Sequence, residues 1–276
     1  MSKKYEEMAK VLHQEAFGND IFSLVIETKD IAKEAKAGQF VSVYSKDRSK
    51  LLPRPISLCE IDREAGTLRL VYRVTGEDTG TEEFSKLAAG DEVRILGPLG
   101  NGFAIEPGKK ALLIGGGIGV PPMLQLAKDI KAGEALSTSG EKLSALEIPE
   151  LQAVMGYRDA DNFLKEEFEK YCDLAIATED GSLGTKGNVL NAIEEQKITG
   201  EVIYACGPKP MLRDLKEYAL SHDMECYVSM EERMACGIGA CLACVCKSKD
   251  KDHHTNVNNK RICKDGPVFN AKEVEL

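Results

Sequence analysis

The chain has 276 residues, of which 43% are hydrophobic, and a formal net charge of -9 at pH 7. This length and composition are sufficient for one large domain or for two to three smaller ones with buried cores. The acidic balance gives no electrostatic support for binding to nucleic acid or to an anionic membrane surface. Small molecules and proteins are therefore the expected partners.

The sequence also argues against a membrane protein and against a secreted disulfide framework. The longest apolar run, Ala111 to Leu124, contains four glycines and two prolines and is shorter than the roughly 20 residues that span a bilayer. Met1 to Lys4 lead into a polar segment, which is not typical of a signal peptide. Of nine cysteines, only Cys59 and Cys172 lie in the first two thirds of the chain. These features predict a protein of the reducing cytoplasm.

From Met8 to about Gly100 the sequence is typical of short strands separated by turns. Alternation and β-branched or aromatic residues predict strands at Ile21–Ile26, Gln39–Tyr44, Thr67–Val74 and Asp91–Leu96. One helix is predicted, from Glu82 to Leu87. This pattern indicates a small antiparallel β-barrel or sandwich.

After Lys110 the pattern changes to strands that alternate with helices. The predicted strands are Ala111–Ile114, Leu151–Gly156, Leu174–Thr178, Glu201–Cys206 and Glu225–Ser229. The predicted helices begin near Pro121 and cover Asp161–Tyr171, Asn188–Gln196 and Pro210–Ser221. Such alternation indicates a doubly wound parallel sheet. Lys131 to Ile148 interrupts it and is predicted to be an exposed insertion.

The C-terminal segment contains the strongest chemical signal. Cys236, Cys241, Cys244 and Cys263 are separated by four, two and eighteen residues, which is the C-x4-C-x2-C…C spacing of a plant-type [2Fe–2S] site. The segment is too short to fold around its own core, so a metal centre would hold it together. A structural zinc site is the alternative, although zinc sites more often have two separated C-x2-C pairs.

Three other candidate ligands are interpreted as lying outside this set. Cys246 is a spare thiol two positions beyond Cys244, and we predict that it does not bind the metal. His253 and His254 are adjacent in a polar loop, whereas a Rieske centre needs two cysteine–histidine pairs. We expect both histidines to be solvated.

Two motifs in the α/β region suggest a nucleotide site. Gly115, Gly116, Gly117 and Gly119 lie between a strand and a helix, where glycines let a pyrophosphate approach the backbone. They do not match G-x-G-x-x-G, and a tight turn without a ligand is the alternative. Cys206-Gly207-Pro208 follows a strand at the edge where open α/β sheets bind ligands, although it could simply end that strand.

A fourth motif lies in the strand-rich region before Gly100. It is Arg54-Pro55-Ile56-Ser57, which combines a cation, a rigid proline and a hydroxyl. An arginine here could hold a phosphate and the serine could reach a flavin ring. The motif alone is short, and proline at a strand edge is a common structural feature.

Taken together, these motifs resemble the ferredoxin–NADP reductase superfamily. The resemblance includes Gly97-Pro98-Leu99-Gly100-Asn101-Gly102-Phe103 as well as the motifs above. The C-terminal stretch Ser229 to Cys241, with Cys263 and Asp265 to Phe269, is most similar to electron-transfer subunits of B-type, NAD-dependent dihydroorotate dehydrogenases.

The resemblance implies a multidomain β plus α/β protein. Residues 1–105 would form an FAD-binding antiparallel β-barrel, residues 106–229 a nicotinamide-binding domain with a doubly wound parallel sheet, and residues 230–276 a small [2Fe–2S] segment. The implied FAD contacts are Arg54, Pro55, Ile56, Ser57, Val71, Tyr72, Arg73, Gly80 and Thr81, with Asp78-Thr79 as an alternative register for the last pair. The implied NAD contacts are Gly115, Gly116, Gly117, Gly119, Cys206, Gly207 and Pro208.

The resemblance also implies a function in pyrimidine biosynthesis. Dihydroorotate would be oxidised on a separate FMN-containing catalytic subunit, in a heterotetramer with two copies of each subunit. Electrons would pass singly through the [2Fe–2S] cluster to FAD, which would transfer hydride to NAD. No side chain of this chain need act as a general base.

Two alternatives stay open at the level of sequence. The chain could be the small subunit of another flavin and iron–sulfur NAD(P)H oxidoreductase, with different partners. It could also be a non-enzymatic, zinc-stabilised interaction module. Tyr157-Arg158-Asp159 offers both a cation and an acid near the nucleotide, so the choice of NAD over NADP rests on the resemblance.

Overall fold

The computed structural model describes residues 3–145, 147–251 and 256–276, and the chain divides into two compact units. The first unit comprises Met1–Gly102, Glu231–Cys246 and Lys260–Pro267. The second comprises Phe103–Met230, Lys247–Asn259 and Val268–Leu276. The C-terminal segment therefore contributes residues to both units.

The first unit contains a closed antiparallel barrel, which confirms the predicted barrel. Its strands follow one another in the order β1-β2-β5-β4-β3-β6. The elements are β1 Tyr5–Gly18, β2 Ile21–Glu27, α1 Ile31–Glu34, β3 Phe40–Tyr44, β4 Arg54–Asp62, β5 Thr67–Arg73, α2 Gly80–Phe84 and β6 Glu92–Leu99. Strand β4 pairs with β5 on one side and with β3 on the other. The Arg54–Ser57 motif pairs only with β3, because the ladder with β5 begins at Leu58, so its proline lies where the other side of β4 is unpaired among the described residues.

Strand β1 was not predicted, although it is the longest strand among the described residues. Its sequence is rich in Glu, Lys, Ala and Gln, which do not favour strands on their own. Strand β1 forms ladders with both β2 and β6. This pairing stabilises a strand that its own sequence does not favour. The predicted helix at Glu82 begins two residues earlier, since the side chain of Thr79 caps it by accepting a hydrogen bond from the N–H of Glu82.

The core of the barrel is formed by side chains that alternate along its strands. Val41 and Val43 of β3 point into this core, so Phe40 and Ser42 point to the other face of the strand. Phe40 and Ser42 are nevertheless only 3% and 1% exposed. Residues of the C-terminal segment cover this outer face, as described below.

The second unit is a seven-stranded sheet in the order β10-β9-β8-β7-β11-β12-β15. Its elements are β7 Ala111–Gly116, α3 Val120–Lys131, β8 Leu151–Tyr157, α4 Lys165–Phe168, β9 Asp173–Thr178, β10 Thr185–Lys186, α5 Val189–Glu195, β11 Val202–Cys206, α6 Lys209–Ser221, β12 Glu225–Ser229 and, at the antiparallel edge, β15 Val268–Asn270. The chain winds outward from β7 through β8 and β9, then returns to place β11 on the other side of β7. The predicted doubly wound parallel sheet is confirmed.

One feature of this unit differs from the prediction, and the predicted exposed insertion agrees with it. The helix expected over Asp161–Tyr171 is only the single turn of α4, because Leu164 before it has a left-handed backbone (φ 66°) and the N–H of Asp161 bonds to the side chain of Asp159 in a turn. Lys131 to Ile148 contains no helix beyond the end of α3, and most of its described residues are exposed. Leu146 of this insertion lies outside the described residues.

The C-terminal segment also contains β13 Val245–Lys247, β14 Asn259–Arg261 and α7 Ile262–Asp265. Strands β13 and β14 form a two-stranded sheet. All nine cysteines lie in the described part of the chain, and none of them forms a disulfide there. No described helix combines the length and apolarity needed to cross a bilayer.

Candidate functional site

The four candidate cluster cysteines all belong to the first unit and form two pairs. The Sγ atoms of Cys236 and Cys241 are 3.3 Å apart, and those of Cys244 and Cys263 are 3.2 Å apart. A binuclear cluster takes two thiolates on each of its irons, so two close pairs fit its ligand requirement. Among residues 3–145, 147–251 and 256–276, no three His, Cys, Asp or Glu side chains converge on a point that could hold one metal ion.

Backbone N–H groups of the cysteine loop point at the sulfurs. The N–H of Cys241 donates to Sγ of Cys236 at 3.3 Å, and the N–H of Gly239 donates to Sγ of Cys263 at 3.2 Å. Gly237 and Gly239 have φ values of 68° and 83°, which favour glycine. These two residues let the loop curl so that its donors face inward, as bound sulfur ligands require.

Hydrogen bonds within the site lower the pKa of two of the four thiols, those of Cys236 and Cys244, toward the thiolate form. Burial raises the pKa of Cys236, but backbone N–H groups of the loop, that of Cys241 first among them, outweigh burial and lower the pKa to about 7. Hydrogen bonding with the thiol of Cys263 lowers the pKa of Cys244 to about 6. The pKa of Cys263 is raised in return, because its thiol keeps its proton in the hydrogen bond with Cys244 and because burial also disfavours its thiolate. Thiolate is the form that binds iron.

A buried arginine is hydrogen-bonded to the backbone of the cysteine loop. Arg261 is 8% exposed; its Nη1 donates to the carbonyl oxygen of Gly239 at 3.1 Å, and its Nε lies 3.3 Å from Oδ2 of Asp265. The side chain of Lys264 covers Gly239, since a Cβ at that glycine would lie 2.7 Å from Cδ of the lysine. Arg261 and Lys264 therefore hold Gly239, the residue whose N–H donates to Sγ of Cys263.

Asn101, which follows β6 of the barrel, is hydrogen-bonded to the segment that carries Cys263. The N–H of Asn101 donates to the carbonyl oxygen of Gly266 at 2.5 Å, and its Nδ2 donates to the carbonyl oxygen of Asp265 at 3.0 Å. Gly100 allows this approach, because a Cβ there would lie 2.5 Å from Cδ of Pro267. The Gly97–Phe103 motif thus positions α7, which carries Cys263.

The cysteine loop also packs on the outer face of β3. A Cβ at Gly237 would lie 2.9 Å from Oγ of Ser42 and 3.2 Å from Cδ1 of Leu99. Ser42 pairs with Pro55 of β4 across the strand ladder. The candidate cluster site and the Arg54–Ser57 motif are therefore neighbours within one unit.

Of the remaining candidate ligands, only Cys246 lies among the described residues. Cys246 is buried in β13 and 7% exposed. His253 and His254 lie outside the described residues, so their predicted solvation stays a prediction.

The predicted FAD residues line adjacent strands of the barrel and the start of α2. Arg54 is half-buried and its side chain lies across Gly80, where a Cβ would be 3.3 Å from Nε of the arginine. Nη1 of Arg54 donates to the carbonyl oxygen of Leu52 at 2.6 Å. Thr81, next to Gly80, is hydrogen-bonded to Thr75 and Thr79. Arg54 and the Gly80-Thr81 pair thus come together, although 26 positions separate Arg54 from Gly80.

The other predicted FAD residues do not all present side chains to a ligand. Val71 and Tyr72 are each 3% exposed, and the ring of Tyr72 stacks on Phe22 while its OH donates to Oε1 of Gln14 at 3.0 Å. Any contact of these two residues with a flavin would have to come from the backbone. Arg73, by contrast, is exposed, and Ile56 packs in the barrel core.

The predicted NAD motifs meet at the point where the sheet reverses its winding. Strands β7 and β11 are parallel neighbours, and Gly115 lies opposite Cys206. A Cβ at Gly119 would overlap the carbonyl group of Cys206 and lie 2.6 Å from the nitrogen of Gly207. Open α/β sheets bind ligands at this switch point.

Gly117 leaves space for a ligand beside these two motifs. Its backbone has a left-handed φ of 55°, and no atom of the described residues lies within 4 Å of a Cβ built there. The turn leads directly into α3, which has 12 residues and prolines near its start. A phosphate could therefore approach the Gly117 backbone and the amino end of α3.

At the carboxyl end of β8, Arg158 is exposed and Asp159 half-buried. Oδ1 of Asp159 accepts the N–H of Asp161. The backbone N–H of Asp180, from the next strand end, donates to the carbonyl oxygen of Arg158. Arg158 is thus accompanied by two acids.

No role is predicted from sequence for Ser42, Arg261 or Asn101. Asn101 had a signal, because it belongs to the Gly97–Phe103 motif. Arg261 is a polar residue two positions before a candidate ligand cysteine, which is a weak signal. Ser42 had none, since its contact with the cysteine loop depends on which segment of the folded chain covers that face of β3.

Family models match three successive parts of the chain. Residues 9–103 match an oxidoreductase FAD-binding domain, residues 113–217 an oxidoreductase NAD-binding domain, and residues 231–275 the iron–sulfur cluster binding domain of dihydroorotate dehydrogenase B. The chain therefore contains domains for FAD, NAD and an iron–sulfur cluster.

Solved structures share this architecture. A chain of an NADH-dependent reduced ferredoxin–NADP oxidoreductase, solved in work on flavin-based electron bifurcation, superposes with a TM-score of 0.81 at 27% identity, covering 98% of this chain and 90% of that one. A ferredoxin–NADP+ reductase from Neisseria gonorrhoeae with bound FAD and NADP superposes with a TM-score of 0.61 at 18% identity, covering 80% and 92%. The second likeness concerns the fold alone.

Curated relatives are similar over almost their whole length. The dihydroorotate dehydrogenase B (NAD(+)) electron transfer subunit of Geobacillus sp. (strain WCH70) is 42% identical, and the match covers 99% of each chain. The subunit of the same name from Caldanaerobacter subterraneus subsp. tengcongensis is 37% identical over 98% of this chain and 99% of its own. With three matching domains and relatives of this similarity, the chain belongs to the family of dihydroorotate dehydrogenase B electron transfer subunits.

Proposed function

We propose that this chain carries electrons from a dihydroorotate-oxidising catalytic subunit to NAD. The observation that carries the proposal is the packing of the cysteine loop against β3, the strand beside Arg54–Ser57. This packing brings a site for a one-electron carrier next to a site for a flavin. When bound, the cluster exchanges single electrons and FAD exchanges both single electrons and hydride, which NAD requires.

The residues divide between three tasks. Cys236, Cys241, Cys244 and Cys263 would hold the [2Fe–2S] cluster, one close pair on each iron. Arg54, Pro55, Ile56 and Ser57 would bind FAD together with the backbone of Val71 and Tyr72, with Arg73, and with Gly80 and Thr81. Gly115, Gly116, Gly117, Gly119, Cys206, Gly207 and Pro208 would line the NAD site. We also propose that the FAD domain ends at residue 105 and the NAD domain at residue 229.

Arg54 is supported as an FAD phosphate ligand by its place across Gly80, at the start of α2. We expect Arg54→Ala to weaken FAD binding about tenfold, because a charge-assisted hydrogen bond contributes about 1.5–3 kcal/mol. FAD fluorescence released on dilution measures this loss. Arg48→Ala removes an exposed arginine from the preceding loop and should release no more FAD than the unchanged protein. Equal FAD retention in both variants would remove Arg54 from the site.

The partner in this proposal is an FMN-containing dihydroorotate dehydrogenase catalytic subunit, with two copies of each subunit in a cytoplasmic complex. The names of the relatives support a partner, since each is described as an electron transfer subunit. NAD is favoured over NADP because Asp159 and Asp180 accompany Arg158, and their charges oppose a 2′-phosphate.

The test is to mix the purified chain with a candidate FMN subunit and to measure dihydroorotate-dependent NAD reduction. We expect NAD reduction only when both proteins are present, and a complex with two copies of each in sedimentation. Dihydroorotate oxidation that never reduces NAD in the mixture would contradict the proposal.

A second candidate is an NADH-dependent ferredoxin reductase subunit. The similarity of the chain to the bifurcating oxidoreductase, at a TM-score of 0.81, favours this alternative over other flavoproteins. It predicts NADH-dependent reduction of a ferredoxin by the chain and a copurifying partner that does not oxidise dihydroorotate.

A further inference from the structure

The hydroxyl of Ser42 is a buried polar group that lacks a hydrogen bond. Ser42 is 1% exposed, and within the described residues its Oγ has no hydrogen-bond partner. Leaving a buried hydroxyl unpaired costs roughly 1–3 kcal/mol, and such groups in native proteins call for a specific explanation. A serine that served only to pack β3 would be better replaced by alanine.

The position of the Ser42 hydroxyl accounts for its missing hydrogen bond. Ser42 points to the outer face of β3, toward the cysteine loop, and a Cβ on Gly237 would lie 2.9 Å from its Oγ. Gly237 follows the ligand cysteine Cys236 directly and has a φ of 68°. The loop thus approaches the hydroxyl as closely as a residue without a side chain permits.

We propose that Ser42 donates a hydrogen bond to the iron–sulfur centre and thereby raises its reduction potential. The acceptor is a sulfur, either of the thiolate of Cys236 or of the cluster itself. The reduced centre carries one more negative charge than the oxidised centre, so a donor stabilises the reduced state more. The inference rests on the proposed cluster ligands.

This donor differs in origin from those described above. The N–H groups of Gly239 and Cys241 belong to the cysteine loop, whereas Ser42 belongs to the barrel and pairs with Pro55 of the proposed FAD strand. The flavin-binding domain would therefore contribute to the potential of the centre that exchanges electrons with its flavin. A change in the packing of β3 would alter that potential without touching a cluster ligand.

The test uses Ser42→Ala in the cluster-loaded protein. We expect the variant to bind the cluster, because removing an unpaired hydroxyl also removes its desolvation penalty. The ratio of reduced to oxidised centre at a given potential should fall about tenfold, a shift of about 59 mV to more negative potential for a one-electron couple. Redox titration followed by electron paramagnetic resonance reads only the loaded molecules.

A spectroscopic arm detects the hydrogen bond itself. Protein loaded in deuterated water should show one exchangeable deuteron coupled to the reduced centre that is lost in Ser42→Ala, measured by electron–nuclear double resonance. Resonance Raman spectra identify the acceptor, since the variant shifts terminal iron–thiolate modes if it is Cys236 and bridging modes if it is the cluster sulfide.

Ser23→Ala is the matched control, because Ser23 is another fully buried serine of the same barrel and lies on β2, where it bonds to Arg69. It should leave the potential and the deuteron coupling unchanged. An unshifted potential with an unchanged set of couplings in Ser42→Ala would overturn the inference. Failure of the unchanged protein to assemble any [2Fe–2S] centre would instead overturn the proposed ligands, so the two failures are distinguishable.

Discussion

Cys263→Ser is expected to reduce the content of [2Fe–2S] cluster by more than about tenfold, because loss of a ligand should weaken binding at least as much as loss of an outer-shell partner. Cys263 is fully buried and lies 3.2 Å from Cys244, so its removal leaves one iron with a single thiolate. Iron and sulfide analysis, visible absorption and electron paramagnetic resonance of the anaerobically purified protein measure the loss. FAD content should remain, since the variant does not touch the proposed flavin residues.

Cys246→Ser is the control for this variant. Cys246 is also buried, and it lies two positions after a proposed ligand, so the substitution makes a similar chemical change beside the site. It should keep the cluster and its spectrum. If Cys246→Ser lost the cluster while Cys263→Ser kept it, the ligand set would have to be revised.

Gly119→Ala is expected to lower the rate of FAD reduction by NADH at least about tenfold. The added methyl would overlap the carbonyl of Cys206 and lie 2.6 Å from the nitrogen of Gly207. Overpacking of this kind typically costs about 1–3 kcal/mol, and it would push apart the two loops proposed to enclose NAD. Stopped-flow absorbance of the flavin after mixing with NADH gives the rate.

Two further glycine variants separate a site effect from general instability. Gly117→Ala adds a methyl where no protein atom lies within 4 Å, so we expect it to weaken NAD binding by blocking the ligand. Gly108→Ala also adds a methyl in open space at a left-handed φ of 69°, a strain of roughly 1–2 kcal/mol, but Gly108 precedes the amino end of β7, whereas both motifs lie at the carboxyl ends of their strands. It should keep wild-type reduction by NADH. Loss of reduction in Gly108→Ala alone would remove the glycine cluster from the proposed NAD site.

The sequence predicts the architecture of this chain better than it predicts which residues act together. Periodicity identified β7, β8, β9, β11 and β12 because strands buried on both faces are continuous apolar runs. Strand β1 was missed because its Glu, Lys and Gln residues acquire strand structure only through pairing with β2 and β6. Long-range pairing of this kind has no local signal.

The candidate sites show the same division. Cysteine spacing predicts four candidate ligands, because the ligands of a binuclear cluster come from one tight loop and one distant position. It did not predict that the loop would lie on β3, since this requires Gly237 and Ser42 to meet across 195 positions. The roles of Arg261 and Asn101 likewise depend on backbone carbonyls that become their acceptors only in the folded chain.

The central claim is that electrons pass between the catalytic subunit and NAD through the cysteine centre of this chain. Its most direct test is dihydroorotate-dependent NAD reduction by the two-subunit complex that contains Cys263→Ser, measured beside reduction of FAD by NADH in the same preparation. The proposed order of carriers predicts that the first rate falls to background while the second is retained. Undiminished NAD reduction by a complex shown to lack the cluster would contradict it.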